Sequence, residues 1–151
     1  MRRSIVLASI LPILLISQVM YANASTNGNV AESKLDVLSS MVKNVKTKVD
    51  TLVKDRSVAS QNSVVSTVQE AKGELNKIKA EFVKLSFSKD EKKHYKQFGK
   101  VIKQTDKALN EAFWVAKFTT YNDKNFIDSL NKFNAHYSKV IELSKKARPL
   151  L

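Results

Sequence analysis

The sequence predicts an all-α protein, an up-down-up-down four-helix bundle that follows a cleaved signal peptide. Three observations carry that expectation. Apolar residues recur at alternating three- and four-residue steps through four separate stretches, the period of a helix buried on one side. Within those stretches only Gly73 and Gly99 punctuate the pattern, and no proline does. No run alternates apolar and polar residues as a half-buried strand requires.

The chain begins with a leader pattern. Met1-Arg2-Arg3 is positive, Ile5 to Val19 is mostly apolar, and Ala22-Asn23-Ala24 supplies the small residues of a cleavage site. Secretory signal peptides have that order, so residues 1–24 are expected to be removed and the protein to be secreted or periplasmic. An uncleaved anchor is the rival reading, but the apolar run falls short of the ~20 residues that span a bilayer. Residues 25–31 form a polar, flexible lead-in. Residues 32–148 form one helical domain, long enough to bury a core without staples.

The first helix is expected from about Glu32 to Lys54. Leu35, Leu38, Val42, Val45, Val49 and Leu52 make an a/d seam, as in a coiled coil, which Met41 and Val53 widen. Asp55 to Ser63 breaks its phase and offers several N-cap residues, so it reads as a turn. Lacking Gly and Pro, it also permits one continuous long helix. The second helix, Asn62 to Leu85, carries Val64, Val68, Ala71, Leu75, Ile78, Phe82 and Leu85. Gly73 lies inside it, marking either a close helix crossing or a weak point. Ser88-Lys89-Asp90-Glu91 matches a capping box ahead of the third helix, Lys92 to about Thr119. Its inner face is Tyr95, Phe98, Val101, Ile102, Leu109, Ala112, Phe113 and Ala116. Asn122 or Asp123 caps the fourth helix. Phe126, Ile127, Leu130, Phe133, Tyr137, Val140, Ile141 and Ser144 form its inner face, and Pro149 stops it.

Composition excludes much chemistry. With no cysteine, the chain has no disulfide, thiolate metal site or cysteine nucleophile. His94 and His136 are the two histidines. The register of a third–fourth helix hairpin sets His136 opposite Lys103 to Thr105 and His94 opposite the chain's last residues. The imidazoles then lie on the order of 15 Å apart, too far to share a metal or a proton. Glu91-Lys92-Lys93-His94 is a single Glu-x-x-His, whereas di-iron bundles need two. A haem held by Met41 and His136 is conceivable by level but not by helix face. Phosphate-loop, nucleophile-elbow and zinc spacings do not occur. Carboxylates lie three or four residues from lysines, as in Glu74–Lys77 and Asp50–Lys54, which is ordinary helix-surface pairing. No enzyme activity, no cofactor and no metal are expected.

What remains is charge. The formal net charge is +12, with the excess in the C-terminal half. Lys92, Lys96, Lys100, Lys103 and Lys107 fall within an arc of roughly 80° on the third helix, opposite its apolar face. Trp114, the only tryptophan, shares that side, and Phe118 lies one turn further on. With Tyr121 they gather beside Lys117 and Lys124. A lysine stripe is usually a solvated face. Ending in large aromatics that the core does not need, this one reads as a contact surface. The expected partner is an anionic envelope polymer or lipid surface, or an acidic protein. Nucleic acid fits the charge but not an exported location. Two other readings use the same features: a membrane-active toxin or antimicrobial bundle, and an interaction module such as an immunity protein, inhibitor or chaperone.

Overall fold

A computed structural model describes residues 11–85, 91–119 and 123–148, with side chains from residue 30 onward except those of Glu91, Lys93 and His94. Its elements are α1 (Leu11–Asp55), α2 (Val58–Lys84), α3 (Glu91–Phe118) and α4 (Asp123–Ala147). Four helices pack against one another around one apolar cluster. Ser86 to Asp90, which includes most of the expected capping box, and Thr120 to Asn122 lie outside the described residues.

The heptad seams explain the packing. All six seam residues of α1 are fully buried, and so are Val64, Val68, Leu75 and Ile78 of α2, with Ala71 nearly so. Long-range side-chain pairs give the directions. Lys34 meets Glu81 at 2.8 Å, joining the start of the described α1 surface to the end of α2. Phe82 near the end of α2 packs against Phe98 of α3, ring centroids 5.0 Å apart. Arg148 at the end of α4 reaches Asp36 of α1. Arg56 just past α1 reaches Asp123 at the start of α4 at 2.5 Å. Successive helices therefore run antiparallel, which short connections require.

Helix α1 begins at Leu11 and so takes in part of the expected leader and the lead-in. An apolar leader is itself a helix former, and Gly28 alone costs only about 1 kcal/mol in a helix interior. On α1, Val53 is partly exposed rather than widening the seam. On α4, Ile127 is 52% exposed. Phe126 and Ile127 are about 100° apart on the helix, and only Phe126 turns inward. Leu143, Ser129 and Ala147 are buried in addition to the expected residues. Asp50 pairs with Lys46 rather than Lys54, while Glu74 does meet Lys77.

The break between α1 and α2 is only Arg56-Ser57, so α2 starts four residues before Asn62. Arg56 is the one described non-glycine with positive φ, at 48°. It ends α1 in the left-handed conformation that glycine usually supplies, and its amide still donates to the Leu52 carbonyl at 2.8 Å. Ser57 then caps α2, its hydroxyl accepting from the Ser60 amide at 3.1 Å. Asp55 accepts from the Ser57 amide and the Ser60 hydroxyl, which together hold its carboxyl below the usual range. The Arg56 guanidinium lies 4.5 Å over the Phe126 ring. Those contacts offset a left-handed backbone cost of about 1–2 kcal/mol. Arg56→Ala removes the contacts and keeps the cost, whereas Arg56→Gly removes both. The glycine variant should be the more stable of the two by about 1 kcal/mol in urea denaturation.

Gly73 marks no helix crossing. A Cβ built there meets nothing within 4 Å. The glycine is a backbone-entropy cost with no packing return, so Gly73→Ala should raise stability by about 0.4–1 kcal/mol, read as a higher denaturation midpoint.

Candidate functional site

Burial divides α3 cleanly. Tyr95, Phe98, Val101, Ile102, Leu109, Ala112 and Ala116 are buried as expected, joined by Thr105, Ala108 and Val115. Phe113 is half-buried at the edge of that face. Lys92, Lys96, Lys100, Lys103 and Lys107 are all exposed. At 1.5 Å per residue they extend over about 22 Å of helix. Among the described residues none of the five forms an ion pair with a carboxylate. Asp106, adjacent to Lys107, is taken by Lys79 of α2 at 2.9 Å. Among the described side chains the positive field of the stripe is therefore not neutralised by direct pairing.

Trp114 is 46% exposed. Its helical phase places it at the middle of the lysine arc, two turns beyond Lys107. Its ring is nearly parallel to that of Phe118, 17° between planes and 5.3 Å between centroids. Phe113 meets the indole edge-on at 5.6 Å, and the ammonium groups of Lys72 and Lys117 lie 5.8 Å and 5.4 Å from the Phe113 ring. Three aromatics thus support one another at the C-terminal end of α3, geometry that contributes beyond area burial alone. Tyr121, expected to join this group, lies outside the described residues.

Trp114 and Phe118 also form one wall of a cleft of about 330 Å³. Glu111 lines it from α3, and Asn125, Asp128, Ser129 and Lys132 line it from α4. Lys132 donates to Asp128 at 2.7 Å. That hydrogen bond and the carboxylate's charge push the ammonium up from its ordinary value, with Glu111 acting in the same sense. The α4 wall is invisible to the sequence pattern, because it follows only from the α3–α4 register. One signal for that register is available: His136 against Lys103 to Thr105. His136 Nδ1 does donate to Gln104 Oε1, at 2.8 Å.

His136 itself is half-buried, and burial pushes its imidazole below the ordinary value, with nearby Lys107 adding and Glu111 opposing. In the unfolded chain the imidazole keeps its ordinary value near 6.5. The unfolded state then takes up the proton first as pH falls. The stability from neutral His136 is complete above that value and is lost on acidification through the window beneath it. Thermal midpoints should therefore drop between pH 7 and pH 5.5, and His136→Gln should flatten that dependence. Met41 faces a different neighbour, α2, so it and His136 are not brought together.

A larger groove, about 620 Å³, runs between α1 and α2. Val37, Met41 and Ala71 form its floor, and Asp36, Glu70 and Glu74 its rim. The rim carboxylates already have partners, in Arg148, Ser66 and Lys77. Among the described residues no group of three His, Cys, Asp or Glu side chains is placed to hold a metal. No helix there is long and apolar enough to cross a membrane.

Fold and site together define an all-helical protein whose four packed helices leave one basic, aromatic-ended face on α3. No family model, curated protein or solved structure matches the chain.

Proposed function

We propose that the chain is a non-enzymatic binding protein that engages an anionic partner through the exposed face of α3. In this reading residues 1–24 are removed on export, and the remaining helices work as an up-down-up-down bundle in the periplasm or outside the cell. One observation carries it. Five lysines lie exposed along about 22 Å of one helix, without carboxylate partners among the described residues, and lead to an exposed tryptophan. Unpaired lysines four residues apart repel by a few tenths of a kcal/mol per pair. An anionic partner removes that repulsion and is steered towards it. The face is a straight ridge, and a linear polyanion can follow it end to end. Lys96, Lys100 and Lys103 sit at its centre, with Lys92, Lys107, Trp114 and Phe118 flanking them. Charge reversal of the central three tests the reading: polyanion binding is to be lost with helix content unchanged, and retained binding would reject it.

A further inference from the structure

We infer that the Trp114–Phe118 stack is a seat for a sugar ring, so that the partner of α3 is an acidic polysaccharide. This rests on the lysine face being a polyanion site, and it adds the class of polymer.

The cleft beside the stack differs in chemistry from the stripe. Two flat rings form one wall. The others carry Glu111, Asn125, Asp128 and Lys132, a mixed set with two carboxylates and one ammonium. An anionic group is not favoured there. A neutral, hydroxyl-rich ring is: its C–H face lies on the aromatics, and its hydroxyls donate to the carboxylates and accept from the ammonium. A lipid tail would desolvate those charges and offer them no hydrogen bond. A stacked nucleotide would carry its phosphate in among the carboxylates. The volume, about 330 Å³, is at the small end of ligand clefts, which suits one ring with its substituents.

The spacing fits the same polymer. Lys107 precedes Trp114 by seven residues, about 10 Å along the helix. A chain seated by a neutral ring at Trp114 meets the first stripe lysine about two rings later, then Lys103 and Lys100 at intervals of about 4.5–6 Å. A polymer that carries both neutral and acidic rings meets both requirements, which a uniform polyphosphate does not.

Trp114 is the chain's only tryptophan, so its fluorescence reports on the seat directly. The purified protein is titrated with a hyaluronan octasaccharide, in which neutral and acidic rings alternate. Parallel titrations use linear polyphosphate, single-stranded DNA and phosphatidylglycerol vesicles, with affinities from calorimetry. Hyaluronan should bind and change Trp114 emission. Trp114→Leu and, separately, Phe118→Leu should weaken hyaluronan by about tenfold, the size of one lost ring contact, and leave polyphosphate within about twofold. Reversal of Lys96, Lys100 and Lys103 should weaken both. If both leucine variants, with unchanged helix content, bind hyaluronan as tightly as the parent, the seat is refuted while the lysine face stands. The seat is refuted in the same way if polyphosphate binds and hyaluronan does not, or if DNA or vesicles alone move the Trp114 signal. If no polyanion binds, the reading of the α3 face fails together with the seat.

Discussion

Phe133→Ala should lower the unfolding free energy by about 3–5 kcal/mol, the range for emptying a fully buried phenylalanine site. Phe133 is among the largest side chains with no exposed surface. It belongs to the single cluster that all four helices share, and its ring packs 6.3 Å from that of Tyr137. The chain has no cysteine, and the described residues form no second core, so nothing limits the damage. Against a typical domain stability of about 5–15 kcal/mol, the loss is large enough to shift the urea midpoint far down. Ile127→Ala is the matched control. Sequence periodicity assigns both residues to the inner face of α4, but Ile127 is 52% exposed. Its truncation should change stability by less than about 0.5 kcal/mol. Equal losses at the two positions would mean that the phase of α4 is wrong.

That pair shows where periodicity suffices and where it stops. Leu35 to Leu52 repeat over almost three heptads, and every one of the six is buried, because a long regular seam averages out local irregularity. At the start of α4 the pattern has only Phe126 and Ile127 to fix its phase. The two lie about 100° apart on the helix, and only Phe126 falls within the buried arc. The turn after α1 is legible as a change of phase but not in its length. Its αL residue is an arginine, and the contacts that stabilise that backbone come from Phe126 and Asp123 on α4. No local motif encodes them. Gly73 carries an analogous lesson: a glycine inside an amphipathic helix can sit in open space on its outer face, so its presence alone does not locate a crossing.

The candidate site is legible to the extent that it lies on one helix. Trp114 and Phe118 are four residues apart, so their stack follows from helical spacing. That the lysines point away from the core follows from the opposite apolar face. The cleft requires a second helix, and Asn125, Asp128 and Lys132 carry no signal until the α3–α4 register is known. The register is within reach through His136, whose ring meets Gln104. The α1–α2 groove is not, because its lining is made of seam flanks that look solvated in each helix alone.

Reversing Lys96, Lys100 and Lys103 to glutamate should reduce affinity for a linear polyanion by at least about 100-fold at low salt. A lysine close to an anionic surface contributes about 1 kcal/mol, and reversal replaces that attraction with repulsion. Since 100-fold corresponds to about 2.7 kcal/mol, the expected loss is already conservative for three sites. Net charge alone could produce part of it, because each reversal moves the total by two units. Lys43 of α1, Lys84 of α2 and Lys145 of α4 are also exposed. Reversing those three changes the net charge equally but leaves the α3 face intact. Long-range steering should then weaken only modestly, chiefly through the association rate. The salt dependence separates the two variants further. Each anion neutralised at the interface contributes to the slope of log affinity against log salt. The α3 variant should lose about three such contributions, and the scattered variant should keep the parent slope. If both variants lose affinity equally, the protein is a diffuse polycation, and the alignment of its lysines on α3 has no role in binding.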